Sequence, residues 1–252
     1  MKALTIYCLL ALVLLTGAAY NFKLPTEGDQ GFAVIELFTS EGCSSCPPAD
    51  ALAAKIARET LSRPVYILSF HVDYWNRLGW KDTYSKSEYS ARQKRYSGWM
   101  HLSGAYTPQM VVNGKTEMVG SNEKALRRAI TASLTNVPTV NLTVKEASVS
   151  QNKLQLQYQI ANPGKNAAIN IAFIQNKAQT QVKGGENSGK MLPHINIVRE
   201  LKTIPLNGHN LGTATIPLPV EFDMKDGKVI AFIQNTNTGE VLAAREVMLS
   251  GL

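Results

Sequence analysis

The sequence predicts an α/β domain built around two cysteines, followed by an all-β, sandwich-like domain. Three observations predict it. Between residues 32 and 135, apolar β-type runs alternate with helical stripes in the order β, α, β, α, β-hairpin, α. A C-x-x-C pair, Cys43 and Cys46, stands where the first strand passes into the first helix. Beyond Asn136-Val137-Pro138 the helical period disappears, and short alternating runs separated by turn dipeptides replace it.

The chain has 252 residues, 44% apolar and 18% charged, which is enough to bury a core in two domains and argues against disorder. Residues 1–19 read as a signal peptide: Lys2 is the basic start, Ala3 to Leu15 the apolar run, and Gly17-Ala18-Ala19 the cleavage region. The run is shorter than the roughly 20 residues a spanning helix needs. Cys8 leaves with this leader, so Cys43 and Cys46 are the only thiols expected in the mature chain. Export places them where disulfides persist. The expected location is therefore periplasmic or secreted, in a bacterium, with no stable membrane span after cleavage.

The formal charge is +7, but the basic residues are scattered, apart from Arg92-Gln93-Lys94-Arg95 and Arg127-Arg128. With export, that excludes nucleic acid as the expected partner and assigns the charge mainly to solubility.

Residues 20–137 form the first predicted domain. Phe32 to Phe38 suits a strand buried on both faces. Pro47 to Thr60 carries Ala49, Leu52, Ala53 and Ile56 at helical spacing, with both prolines in the first turn, where they cost no hydrogen bond. Val65 to Val72 is a second buried strand, and Asp73 to Thr83 an aromatic loop. Ser85 to about Met100 reads as a helix with a poor apolar face. Asn113-Gly114 between two β-rich runs signals a hairpin. Ser121 or Asn122 caps a last helix bearing Leu126, Ala129, Ile130 and Leu134.

Residues 138–252 form the second. The runs VNLTVKEASV, KLQLQYQI, AINIAFIQ, TATIPLPV, KVIAFIQ and EVLAAREVML alternate as strands, and seven or eight strands are expected. The hexapeptide at 171–176 recurs at 230–235, which reads as two central strands in similar surroundings.

A C-x-x-C pair opening a helix has a definite chemistry. Unpaired N–H groups and the helix dipole favour thiolate at the first cysteine. An exposed Cys43 thiolate attacks a substrate disulfide, and the less exposed Cys46 resolves the mixed disulfide. Ser44-Ser45 adds neither charge nor imidazole, so a middling potential is expected, and the direction of exchange stays open. Two alternatives stand beside it, the first on the same cysteines and the second with the β-rich domain as the working part. One is a soft-metal site for Cu or Zn, disfavoured because four-ligand zinc sites need partners the dispersed histidines do not offer. The other is a protein–protein adaptor with a vestigial redox site.

Pro108 directly precedes a hairpin strand, an awkward place unless the turn is special, so a cis Thr107-Pro108 bond is expected, with Thr107 and Pro108 holding substrate. His71 and Asp73, two apart at the end of the second strand, share a face; His71 either tunes a cysteine under Asp73's orientation or is a hydrogen-bonded core histidine. Trp75 and Trp80 either line a groove or plug the core edge. Residues 184–190, GGENSGK, nearly spell a phosphate loop, but Met191 stands where a metal-binding hydroxyl is required, so a mobile surface loop folding over the first domain is expected.

The segments VIELFTSEGCSSCPPAD, SFHVDYWNRLGWKD, ARQKRY and YTPQMVVNG resemble the secreted thioredoxin-like family catalogued as domain-of-unknown-function 1223, and GGENSGKMLPHINIVRE resembles its second shared segment. The resemblance implies a thioredoxin-like fold over the first domain and a redox site at Cys43 and Cys46. It also suggests Glu36, in the first strand, as a buried acid serving the second cysteine. No cofactor is implied. The expected partners are a protein or small-molecule disulfide or thiol, and a redox partner that recycles the pair.

Overall fold

In the computed structural model, residues 31–250 are described; the signal-peptide expectation for residues 1–19 lies outside them. The elements are β1 (Ala33–Thr39), α1 (Pro47–Glu59), β2 (Val65–His71), α2 (Ser87–Trp99), β3 (Gln109–Val112), β4 (Thr116–Val119) and α3 (Glu123–Thr135). They continue with β5 (Asn141–Ser150), β6 (Lys153–Ala161), β7 (Ala167–Gln181), β8 (Met191–Pro205), β9 (Leu211–Pro217), β10 (Gly227–Asn235) and β11 (Val241–Glu246).

The strands overturn the expected fold class. Instead of a thioredoxin-like α/β domain followed by a separate all-β sandwich, one eight-stranded mixed sheet runs through both halves in the order β11-β10-β7-β8-β2-β1-β3-β4. Only three α-helices pack on it among the described residues, so the protein is mainly β. A three-stranded sheet, β5-β6-β9, covers part of one face. The join is β8, which runs parallel to β2 at Ser69 and Ile197 and antiparallel to β7. No strand had been expected at 191–205, and without it the two halves look separable.

Local chemistry explains the elements. Both faces of β1 are covered, hence its mostly apolar run, broken only by the buried Glu36 and Thr39. Pro47 and Pro48 occupy the first turn of α1, and Asn122 caps α3 by accepting from the Ala125 N–H at 3.1 Å. Asn113 and Gly114 both adopt positive φ in the β3–β4 turn, and the Asn113 side chain also bonds Val34 N–H and Phe32 C=O. Gly114 is required for a second reason: a Cβ there would lie 1.9 Å from the Gly239 carbonyl.

Three apolar layers result. Leu52, Ala53 and Ile56 of α1, with Leu126 and Ile130 of α3, bury against Ile35, Leu37 and Met110. On the opposite face, Tyr89 and Tyr96 of α2 pack on Phe38 and Phe70, and the same layer continues into Ile174, Ile230 and Phe232. The small sheet closes on Ile169, Ile171, Phe173 and Ala231. Each fully buried Leu, Ile, Phe or Met side chain among them contributes about 1.5–3 kcal/mol. The repeated hexapeptides are antiparallel neighbours with Ile230 opposite Ala172, so Phe173 and Phe232 point into opposite layers.

Arg92 closes the seam. Its guanidinium donates two bonds to Glu36, one of them at 2.8 Å, and one to Gln234 at 3.2 Å, and it lies over the rings of Phe70, Tyr96 and Phe232. Arg92 is 2% exposed and Glu36 1%. Half of the basic run expected on the surface is therefore interior, with Arg92 and Gln93 both buried.

Candidate disulfide site

Cys43 and Cys46 form a disulfide, with Cα atoms 5.4 Å apart, in the turn that feeds α1. The turn winds early: Cys43 C=O accepts from Cys46 N–H, and Cys46 C=O accepts from Ala49 and Asp50 N–H. Ser44 and Ser45 face solvent, but both cysteines are fully covered. The expected exposure of Cys43 is thus not observed.

Thr107–Pro108 is a cis peptide, and it faces the pair. The Thr107 hydroxyl lies 3.4 Å from Cys43 Sγ and accepts from the Trp75 indole N–H at 2.8 Å. Gln93 of α2 fixes this loop by donating to Tyr106 C=O at 2.7 Å and to the Gln109 side chain at 3.0 Å. A Cβ on Gly42 would meet Trp75 Cβ at 3.1 Å, so Trp75 packs directly on the cysteine loop. Trp80 reaches the same loop from outside, donating to Glu41 at 2.7 Å. Both tryptophans therefore touch the site as well as plugging its edge.

Beneath the loop lies a buried polar cluster. His71 Nδ1 pairs with Asp82 at 2.7 Å, and Asp82 also accepts from Glu41 N–H at 2.8 Å. His194 Nε2 pairs with Glu41 at 3.1 Å, and the two imidazoles meet edge to face at 5.0 Å. Burial disfavours the His71 cation, yet Asp82 outweighs it and raises the His71 pKa. Burial likewise opposes ionised Asp82 and Glu41, but His71 and the backbone lower the first, and His194, Thr180 and Trp80 lower the second. Asp50, one turn beyond Cys46, behaves oppositely: burial pushes its carboxyl up to about 6 against the histidines and the Thr39 hydroxyl. His71 Nε2 and His194 Nδ1 are buried without hydrogen-bond partners. Among the described residues, no group of three or more His, Cys, Asp or Glu is placed to hold a metal ion.

Two expected relationships are absent. Asp73 does not orient His71; it is tied to Ser90 on α2, and the acid on His71 is Asp82, eleven residues along the chain. Glu36 does not face the cysteines. It sits on the face of β1 that meets α2, held by Arg92 and Tyr96, while Thr39 and Asp50 meet on the α1 face.

The second half of the chain completes the site. The β7–β8 hairpin carries a 3-10 turn, Gly185–Asn187, at its tip. There Asn187 donates both amide hydrogens, to Glu41 C=O and Cys43 C=O, each at 2.9 Å, and Glu186 accepts from Ser44 N–H at 2.9 Å. The near-phosphate-loop segment is thus the tip of a hairpin laid over the cysteine loop.

The profile of the family described as "Protein of unknown function (DUF1223)" matches residues 34–234, a span that holds the cysteines, Thr107, His194 and the hairpin tip. The chain belongs to this family. None of the curated proteins matches it. A crystal structure of a protein from Agrobacterium tumefaciens shares 26% identity, covering 87% of the DUF1223 chain and 95% of its own length, with a TM-score of 0.67. A structure of HBP35 of Porphyromonas gingivalis is 13% identical over 88% of this chain and 76% of that one, TM-score 0.57, a likeness of fold alone. The disulfide fits an extracellular or periplasmic DUF1223 protein. No helix among the described residues is long and apolar enough to cross a membrane.

Proposed function

We propose that this protein is an exported thiol–disulfide oxidoreductase, delivered to the bacterial periplasm or exterior by residues 1–19. Cys43 is the sulfur that exchanges with substrate and Cys46 the resolving sulfur. The observation that carries this reading is the Thr107 hydroxyl at Cys43 Sγ, on a cis-proline loop facing a disulfide at a helix start. Cys43 is the sulfur that meets the Thr107 hydroxyl, while Cys46 continues into α1.

In the reductive half, a substrate thiolate attacks Cys43 Sγ, the Cys43–Cys46 bond breaks, and Cys46 leaves as thiolate. A second substrate thiolate attacks the substrate sulfur bound to Cys43. Cys43 then leaves, and the substrate disulfide carries off two electrons fewer. The reverse sequence oxidises the pair and reduces a substrate disulfide. Helix N-terminal N–H groups favour the Cys43 thiolate at each stage.

The test is a Cys46→Ala variant, which cannot resolve. It should accumulate a mixed disulfide through Cys43, released by reductant and identified by mass. A variant that captures no thiol partner, neither protein nor small molecule, would overturn the reading.

A further inference from the structure

The tip of the β7–β8 hairpin spans the cysteine loop, and we propose that it is a gate: Cys43 Sγ becomes reachable only when residues 183–190 lift from Ser44 and Cys43. The inference rests on the exchange reading above.

Exchange requires a sulfur to approach Cys43 Sγ, yet both cysteines are fully covered. Part of that cover is the hairpin tip. Asn187, fully buried, spans Glu41 C=O and Cys43 C=O, and Glu186 sits on Ser44 N–H. Gly184 lies so close to the Gly79 carbonyl that an added Cβ would be 2.5 Å from it, and a Cβ on Gly185 would lie 3.9 Å from Gly42 Cα. The tip therefore packs on the cysteine loop as well as bonding to it.

The arm behind the tip is fixed. Val182 is fully buried, His194 pairs with Glu41, and Ile195 packs in the α1 layer. The tip itself is hinged by Val182, whose N–H bonds Lys190 C=O and whose carbonyl accepts from Gly189 N–H. Gly185 and Gly189 both hold positive φ. Glu186, Ser188, Gly189 and Lys190 are exposed. The tip's holds on the cysteine loop are bonds to backbone groups, which water or an incoming partner can replace as the tip lifts. A partner presenting an acceptor to Ser44 N–H competes directly with Glu186. Once the tip is off, substrate thiolate attacks Cys43 Sγ and Cys46 leaves as thiolate; a second substrate thiolate then attacks the bound substrate sulfur, Cys43 leaves as thiolate, and two electrons have passed from the substrate thiols to the protein.

The experiment uses the full mature chain in its disulfide form and follows reduction by dithiothreitol with thiol mass tags. Glu186→Ala should be reduced roughly threefold or more faster than the wild type, since it loses a charge-assisted contact. Glu186→Gln, which keeps an acceptor oxygen, should stay near the wild-type rate. Hydrogen exchange at the Ser44 amide should speed up in Glu186→Ala alone. Equal rates in wild type and Glu186→Ala overturn the gate. So do equal accelerations in Glu186→Ala and Glu186→Gln that vanish in high salt, which would mean simple repulsion of the thiolate reagent. In both cases wild-type exchange survives. A pair that resists dithiothreitol in all three folded proteins sinks the exchange reading and the gate together.

Discussion

Asn187 donates both of its amide hydrogens to the cysteine loop, to the carbonyls of Cys43 and Glu41, from 144 and 146 residues away in sequence. The residue belongs to the β-rich half of the chain and the loop to the other half. The site is thus assembled by the sheet as a whole, through the β2–β8 join.

That relationship carries a stability prediction. Asn187→Ala removes the side-chain donor from the Glu41 carbonyl and leaves the Cys43 carbonyl with the Cys46 N–H alone, at a cost of about 1–3 kcal/mol. Urea unfolding should show the loss as a lower midpoint within one cooperative transition. Two separate transitions, with only the first shifted, would contradict a continuous sheet.

The Glu36–Arg92 pair predicts non-additivity. Glu36→Leu strands a buried guanidinium and should cost roughly 3–5 kcal/mol. Glu36→Leu with Arg92→Leu removes both charges and should cost less than Glu36→Leu alone. A double variant as unstable as the sum of the singles would show that the pair is not coupled.

Asp50 gives a pH dependence of known sign. Its folded carboxyl titrates near 6 against an ordinary 3.8, so the folded state favours the protonated acid. Stability from this group is full below 3.8, falls as pH rises to about 6, and is then lower by roughly 3 kcal/mol at most. Asp50→Asn should therefore stabilise the protein at pH 8 and leave it little changed at pH 3.5. Equal effects at both pH values would place the Asp50 carboxyl in an ordinary, solvated setting.

The His71–Asp82 pair adds a window. His71 is raised above 6.5, so its contribution is full below that value and lost as pH rises through the folded pKa. Asp82 is lowered below 3.8, so its contribution is full above that value and lost as pH falls through the folded pKa. The pair stabilises most between about pH 4 and 6.5. His71→Gln should lower stability most in that window and flatten the decline on its alkaline side; a uniform loss from pH 4 to 9 would mean that His71 acts by packing alone.

Much of this was legible locally. The prolines of α1, the Asn113-Gly114 turn and the three helices each carry a near-neighbour signal, and the cysteine spacing places the disulfide at a helix start. The cis bond at Pro108 followed from its position before β3. What escaped was long-range. β8 reads HINIVREL, with polar residues breaking the alternation, and a parallel pairing with β2 leaves no turn signature. Without β8 the chain divides naturally into two units, and the single sheet is invisible. The polar cluster escaped for the same reason. Spacing suggested Asp73 for His71, but Asp82 comes from beyond the aromatic loop, and His194 and Asn187 come from the unrecognised arm. Arg92 looked like a surface charge because its partner Glu36 lies 56 residues earlier.

The most direct test of the central claim is a titration of the folded protein in glutathione buffers of graded ratio, quenched and read by thiol mass tags. The account predicts one two-electron transition in which Cys43 and Cys46 change together from disulfide to dithiol. A pair that stays oxidised in the folded protein throughout the series, and is reduced only after unfolding, would contradict it.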